Sequence, residues 1–138
     1  VEVKRGILAM KGGSIGFTGD YGISLTKSTA ALMGVNIMGN NQGQEGIKLN
    51  EGRVDLYKTN IRDVHKGMSV ENGVVRMFRG EIGFKGDYGI SLTKSTAALI
   101  GVKIEENNQG QEGIKLNEGI IDLYKTNIRE VQKGMTIT

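Results

Sequence analysis

Cysteine, proline and tryptophan are all absent from this 138-residue chain. The lack of cysteine excludes disulfides, thiolate metal ligands and a thiol nucleophile together. Aromatic residues are scarce, with four Tyr and three Phe over the whole length. No run of about 18 apolar residues occurs, so no stretch is long enough for a membrane-spanning helix. No leader-like segment is visible either. No long block of one charge sign stands out. The 18 basic and 15 acidic residues leave a net charge of +3, and Lys4-Arg5 is only a pair. Nucleic-acid binding asks for a clustered basic face with stacking aromatics, so the linear sequence argues against a nucleic-acid partner.

What is plentiful is glycine, at 22 residues, and repetition. Residues 19–32 return unchanged as residues 86–99, an offset of 67. Residues 40–52 recur as 107–119, and 55–62 as 122–129, at the same offset. A fixed period is the first feature to settle in such a chain. The expected organisation is one β-helix segment over 1–138, with repeat units 1–67 and 68–134 and a partial coil at 135–138. The chain opens in mid-pattern at Val1, as expected of a piece of a longer protein.

Each unit divides again. The pattern glycine–apolar–x–apolar occurs at Gly22-Ile23-Ser24-Leu25, Gly46-Ile47-Lys48-Leu49 and Gly67-Met68-Ser69-Val70. It returns at Gly89-Ile90-Ser91-Leu92, Gly113-Ile114-Lys115-Leu116 and Gly134-Met135-Thr136-Ile137, and Val1-Glu2-Val3 is a truncated copy. Successive glycines are 24, 21, 22, 24 and 21 residues apart. Each interval holds two further short alternating stretches, such as Val54-Asp55-Leu56 and Thr59-Asn60-Ile61. Apolar–x–apolar is the period of a strand with one buried face. Three short strands per interval, punctuated by Gly, Asn, Ser and Thr, predict an all-β, right-handed parallel β-helix of about six coils of 21–24 residues. A left-handed β-helix needs coils of about 18 residues, and leucine-rich repeats need an L-x-x-L that is missing here. Only residues 28–33 resemble helix, and Thr29 and Gly34 argue against that.

The 24-residue coils carry the longest polar turns, and these are expected to project as surface loops. Their residues Asn40, Asn41, Gln42 and Gln44, with Asn107, Asn108, Gln109 and Gln111, are the candidate partner-binding positions. Asn40-Asn41 could also open an asparagine ladder, although one copy every third coil favours a loop. Tyr21, Tyr88, Tyr57, Tyr124, Phe17, Phe84 and Phe78 are expected to pack at corners.

No catalytic constellation is found. The single His65 has Gln132 as its counterpart in the second repeat, so no function common to both copies uses an imidazole. A G-x-S-x-G elbow is missing, as are clustered metal ligands. The carboxylates Asp55 and Asp122 sit singly within strands and should face outward. They would have to carry any glycosidase or lyase chemistry, and no paired acid accompanies them. No cofactor, metal or enzymatic activity is therefore expected.

Residues 73–90, Gly73 through Phe84 to Ile90, best show a resemblance to passenger domains of bacterial type V autotransporters. The likeness is to tandem-repeat, pectin-lyase-like β-helix passengers of arthropod-borne intracellular pathogens, and it covers essentially the whole chain. It rests on a structural repeat, and no functional residue transfers with it. The resemblance implies a secreted protein or one on the bacterial cell surface, held at the outer membrane only through a β-barrel domain outside this chain. It implies an adhesin or virulence factor whose partner is a host cell-surface protein or matrix component, with one such group acting as angiogenic factors. The open coil edges at both ends add an expectation of end-to-end self-association.

Overall fold

The computed structural model describes residues 1–106 and 111–138, with the backbone alone at residues 41 and 42. It is an all-β parallel solenoid of about six turns. The strands are β1 (Glu2–Lys4), β2 (Ile7–Lys11), β3 (Ser14–Gly16), β4 (Tyr21–Met33) and β5 (Asn36–Phe84), then β6 (Tyr88–Glu106), β7 (Glu112–Tyr124), β8 (Asn127–Arg129) and β9 (Lys133–Ile137). Among the described residues, every pairing between them is parallel. The register steps by 22 residues at Glu2↔Ser24 and Met68↔Ile90, by 24 at Tyr21↔Glu45 and Tyr88↔Glu112, and by 21 at Glu112↔Lys133. These are the glycine spacings of the sequence.

The strands are longer than the sequence pattern suggests, because pairing runs through the corners. Each of the first two corners of a coil is turned at a residue of positive φ, which at Gly12, Glu51 and Arg79 is followed by a second, Gly13, Gly52 or Gly80. Arg5, Lys27, Glu51, Asn72, Lys94 and Glu118 form the first corner row, with φ between 50° and 62°. Gly12, Gly34, Lys58, Arg79, Gly101 and Lys125 form the second. The left-handed turn redirects the chain while the neighbouring amides keep their axial partners. The conformation costs roughly 1–2 kcal/mol at a non-glycine residue, and the intact hydrogen-bond ladder offsets it. Residues 28–33, the one helix-like stretch, lie extended in β4.

Beside the first corner, the chain of the next coil passes very close. A Cβ on Gly52, whose φ is 150°, would lie 2.0 Å from the Ser28 carbonyl oxygen. The alternative filler of this row is serine. The buried Ser28 hydroxyl accepts from the Gly6 amide at 3.1 Å and lies 2.7 Å from the Thr26 carbonyl it donates to. Ser95 repeats this, accepting from Gly73 at 3.2 Å and donating to Thr93 at 2.7 Å.

The core is a set of axial columns. Ile23, Ile47, Met68, Ile90 and Ile114 form one, each 0% exposed. Isoleucine occupies another in every coil: Ile15, Ile37, Ile61, Ile82, Ile104 and Ile128. Such a coil cannot bury these side chains alone; they are covered by the coils above and below.

Candidate interaction surface

Alternation along each strand fixes what points outward. On the second strand of each coil, Leu32, Leu56, Met77 and Leu99 point into the core. The residues that follow them, Met33, Tyr57, Phe78 and Ile100, therefore point out. They stand in register on successive coils. Met33 is 48% exposed, Phe78 37% and Ile100 39%. The rings of Tyr57 and Phe78 stack at 5.4 Å between centroids and 7° between planes. Tyr124 continues the row, paired with Ile100 and 59% exposed. The expectation of corner packing thus holds for Phe84, fully buried, and Phe17, packed against the core. It is corrected for Tyr21, which is 39% exposed on the first strand, and for the second-strand rings of Tyr57, Phe78 and Tyr124. Each of these last three follows an inward residue position on an alternating strand, so the backbone directs it outward, with Tyr57 left half-buried against Phe78.

Beside this row lies a shallow groove of about 570 Å³. Its floor is small, with Ala9, Ala31 and Ala98, and is crossed in the middle by Arg53, Asp55 and Arg76. The Arg53 Nε donates to both Asp55 oxygens at 3.2 Å. Asp55 and Asp122 face outward, as the strand pattern predicts. A cation from the second corner sits by each aromatic of the row. Lys58 lies 5.4 Å from the Tyr57 ring centre, Arg79 5.4 Å from Phe78 and Lys125 5.4 Å from Tyr124.

The other two faces are polar. On the first strand, Lys48 donates to the Tyr21 hydroxyl at 3.3 Å, and this bond raises the lysine pKa. Tyr88 has Lys66 at 5.7 Å and Lys115 at 5.9 Å from its ring centre. Burial pushes the Tyr88 hydroxyl up to about 12, helped by the charge of Glu45, while a Ser69 hydrogen bond pulls the other way. Ser69 also donates to Glu45 at 2.6 Å. Glu112 is the counterpart of Glu45. Its Oε2 is buried without a hydrogen-bond partner among the described residues, and Thr136 stands where Ser69 would. On the third strand, the Asn60 amide donates to Asn36 at 3.2 Å and its oxygen accepts from the Glu81 backbone at 3.1 Å. This short asparagine ladder lies on the strand, away from Asn40-Asn41. Ion pairs continue the same face, Arg62–Glu81 at 3.8 Å and Lys103–Glu105 at 3.3 Å.

The turn singled out in the sequence is tied down rather than projecting freely. Gln44 donates its amide to Gly19 at 3.0 Å and Glu45 to Asp20 at 3.0 Å. Gly43 is buried, and a Cβ there would lie 2.6 Å from the Phe17 ring. Asn40 is exposed, with φ of 46°, and Gln44 is exposed. Gln111 is exposed too, its amide bonded to Gly86 at 3.0 Å. The side chains of Asn41 and Gln42, and all of Asn107, Asn108 and Gln109, lie outside the described residues. Among the described residues no group of three or more His, Asp or Glu is placed to hold a metal. No protein-family model matches the chain, and no curated protein matches it significantly.

The linear sequence hides one property that the coils create. The second face, taken from one left-handed corner to the next, holds nine of the 18 basic residues and four of the 15 acidic ones. The sequence shows both signs mixed. Coiling brings half of the cations, against only four carboxylates, onto this one side.

Proposed function

We propose that this chain is a segment of a secreted or surface-displayed bacterial autotransporter passenger that binds a host cell-surface protein or matrix component. The observation that supports the reading is the periodic outer surface. Core columns are filled coil by coil, so outward rows vary without disturbing them. The rows repeat every 67 residues, or three coils, about 14 Å along the axis at the usual strand spacing. Repeated display raises avidity toward a partner fixed on a cell. Asn40, Gln44 and Gln111 are the corner contacts in this reading, and receptor agonism on endothelial cells is its sharpest form. A spacer role is the second reading. It is favoured by the identity of residues 19–32 and 86–99, which makes the two units interchangeable.

The test applies the purified protein to cultured endothelial cells and records surface binding and receptor tyrosine phosphorylation. Saturable binding with a phosphorylation response is the expected result. Folded, strand-rich protein that binds no cells assigns the rod to the spacer role. Alanine at Asn40, Gln44 and Gln111 separates the corners from the faces, since undiminished binding moves the contact to a face.

A further inference from the structure

The second face combines two properties that the other faces do not share. Its charge is net positive by five, from nine cations against four carboxylates, whereas the rest of the chain is net negative by two. Along its second-corner edge runs an apolar row, with Met33, Phe78 and Ile100 exposed and Tyr57 half-buried between Met33 and Phe78. We propose that this face docks flat on an anionic lipid bilayer. The apolar row enters the interfacial layer, and Lys58, Arg79 and their neighbours reach the acidic headgroups. The proposal does not depend on the passenger reading. It is a contact made by the rod itself, separate from any barrel anchor.

Charge and geometry select this occupant over others. A second copy would bring the same positive face and be repelled. A peptide cannot add as a strand here, because the backbone hydrogen bonds run along the axis and are taken up by neighbouring coils. The alanine floor offers no side-chain donors to read a sequence. The Tyr57 and Phe78 rings face each other, so only their edges reach outward and no nucleobase can stack between them and solvent. A bilayer surface needs none of these features. It rewards apolar area beside flexible cations, attracted by the negative potential of acidic lipids. Of the four carboxylates on the face, Asp55 is paired with Arg53 at 3.2 Å, and Glu51, Glu118 and Asp122 are already set against the nine cations in the net charge of five.

The experiment is flotation of the protein with vesicles of phosphatidylcholine alone, and with phosphatidylcholine and phosphatidylserine in equal parts. Binding to the anionic vesicles is expected to be at least about tenfold tighter, and to weaken as salt is raised. The double variant Lys58→Glu with Arg79→Glu should lose at least about tenfold, and Phe78→Ser with Ile100→Ser a comparable factor. Neither pair is in the core, and circular dichroism checks that both still fold. Arg62→Glu with Arg129→Glu makes the same charge change on the third face and should leave binding within about threefold. The inference is overturned by equal binding to neutral and anionic vesicles, or by a third-face variant that loses as much as the second-face one. Binding to soluble polyglutamate or DNA as tight as to anionic vesicles also overturns it, and assigns the face to a polyanion instead.

Discussion

Gly52 shows how little room a corner leaves. Its φ is 150°, and the Ser28 carbonyl oxygen would stand 2.0 Å from a Cβ placed there, so no side chain fits. Gly52→Ala should destabilise the fold by at least about 2 kcal/mol, read as a lower denaturant midpoint. Tyr88 carries the pH prediction. Its folded pKa is raised, from the ordinary tyrosine value of 10.0 to about 12, so the neutral phenol is favoured in the fold. The stability it contributes is complete below pH 10 and is lost as pH rises toward 12. Tyr88→Phe should remove an absorbance step near pH 12 and flatten that alkaline decline. A titration showing the step still present would reassign it. Nothing in the linear order of residues marks this site. Tyr88 meets Lys66 and Glu45 only because coils of different length bring them side by side.

At the scale of the strand, in and out are readable from the sequence and most corners are not. Apolar–x–apolar spacing marks Leu56 and Met77 as inward, and that already directs Tyr57 and Phe78 outward. Corner packing is what residue type alone suggests for these rings, and alternation overrides it. Most corners carry no sequence signal: Gly12, Gly34, Asn72 and Gly101 favour positive φ, but Lys27, Glu51 and Lys94 do not, and each adopts it. An asparagine ladder is suggested by the doublet Asn40-Asn41, whereas the register aligns Asn36 with Asn60. Isoleucine in every coil of one column predicts a uniform sensitivity there. Ile82→Ala should cost about 2–5 kcal/mol, because the coils on either side cannot collapse into the space. Urea unfolding with an unchanged slope and a lower midpoint checks it; a loss below about 1 kcal/mol would mean the column relaxes.

At the scale of the whole molecule, every face depends on the register of 22, 24 and 21 residues. The solenoid class and coil count are legible in the sequence because the glycine that opens the first strand recurs at steps of 21 to 24 residues. Charge segregation is not, because it needs the three unequal steps applied together to residues far apart in sequence. The native chain has no cysteine, so introduced pairs report without background. The most direct measurement is cross-linking of Arg76→Cys with Ala98→Cys, in-register neighbours on the second face, by a short bis-alkylating reagent. Phe78→Cys with Thr96→Cys is the offset control, since Phe78 pairs with Ile100 and Thr96 with Val74. The first pair should link within one molecule and the control should not. Linkage of the control, or failure of the first pair in folded protein, would contradict the register on which the faces rest.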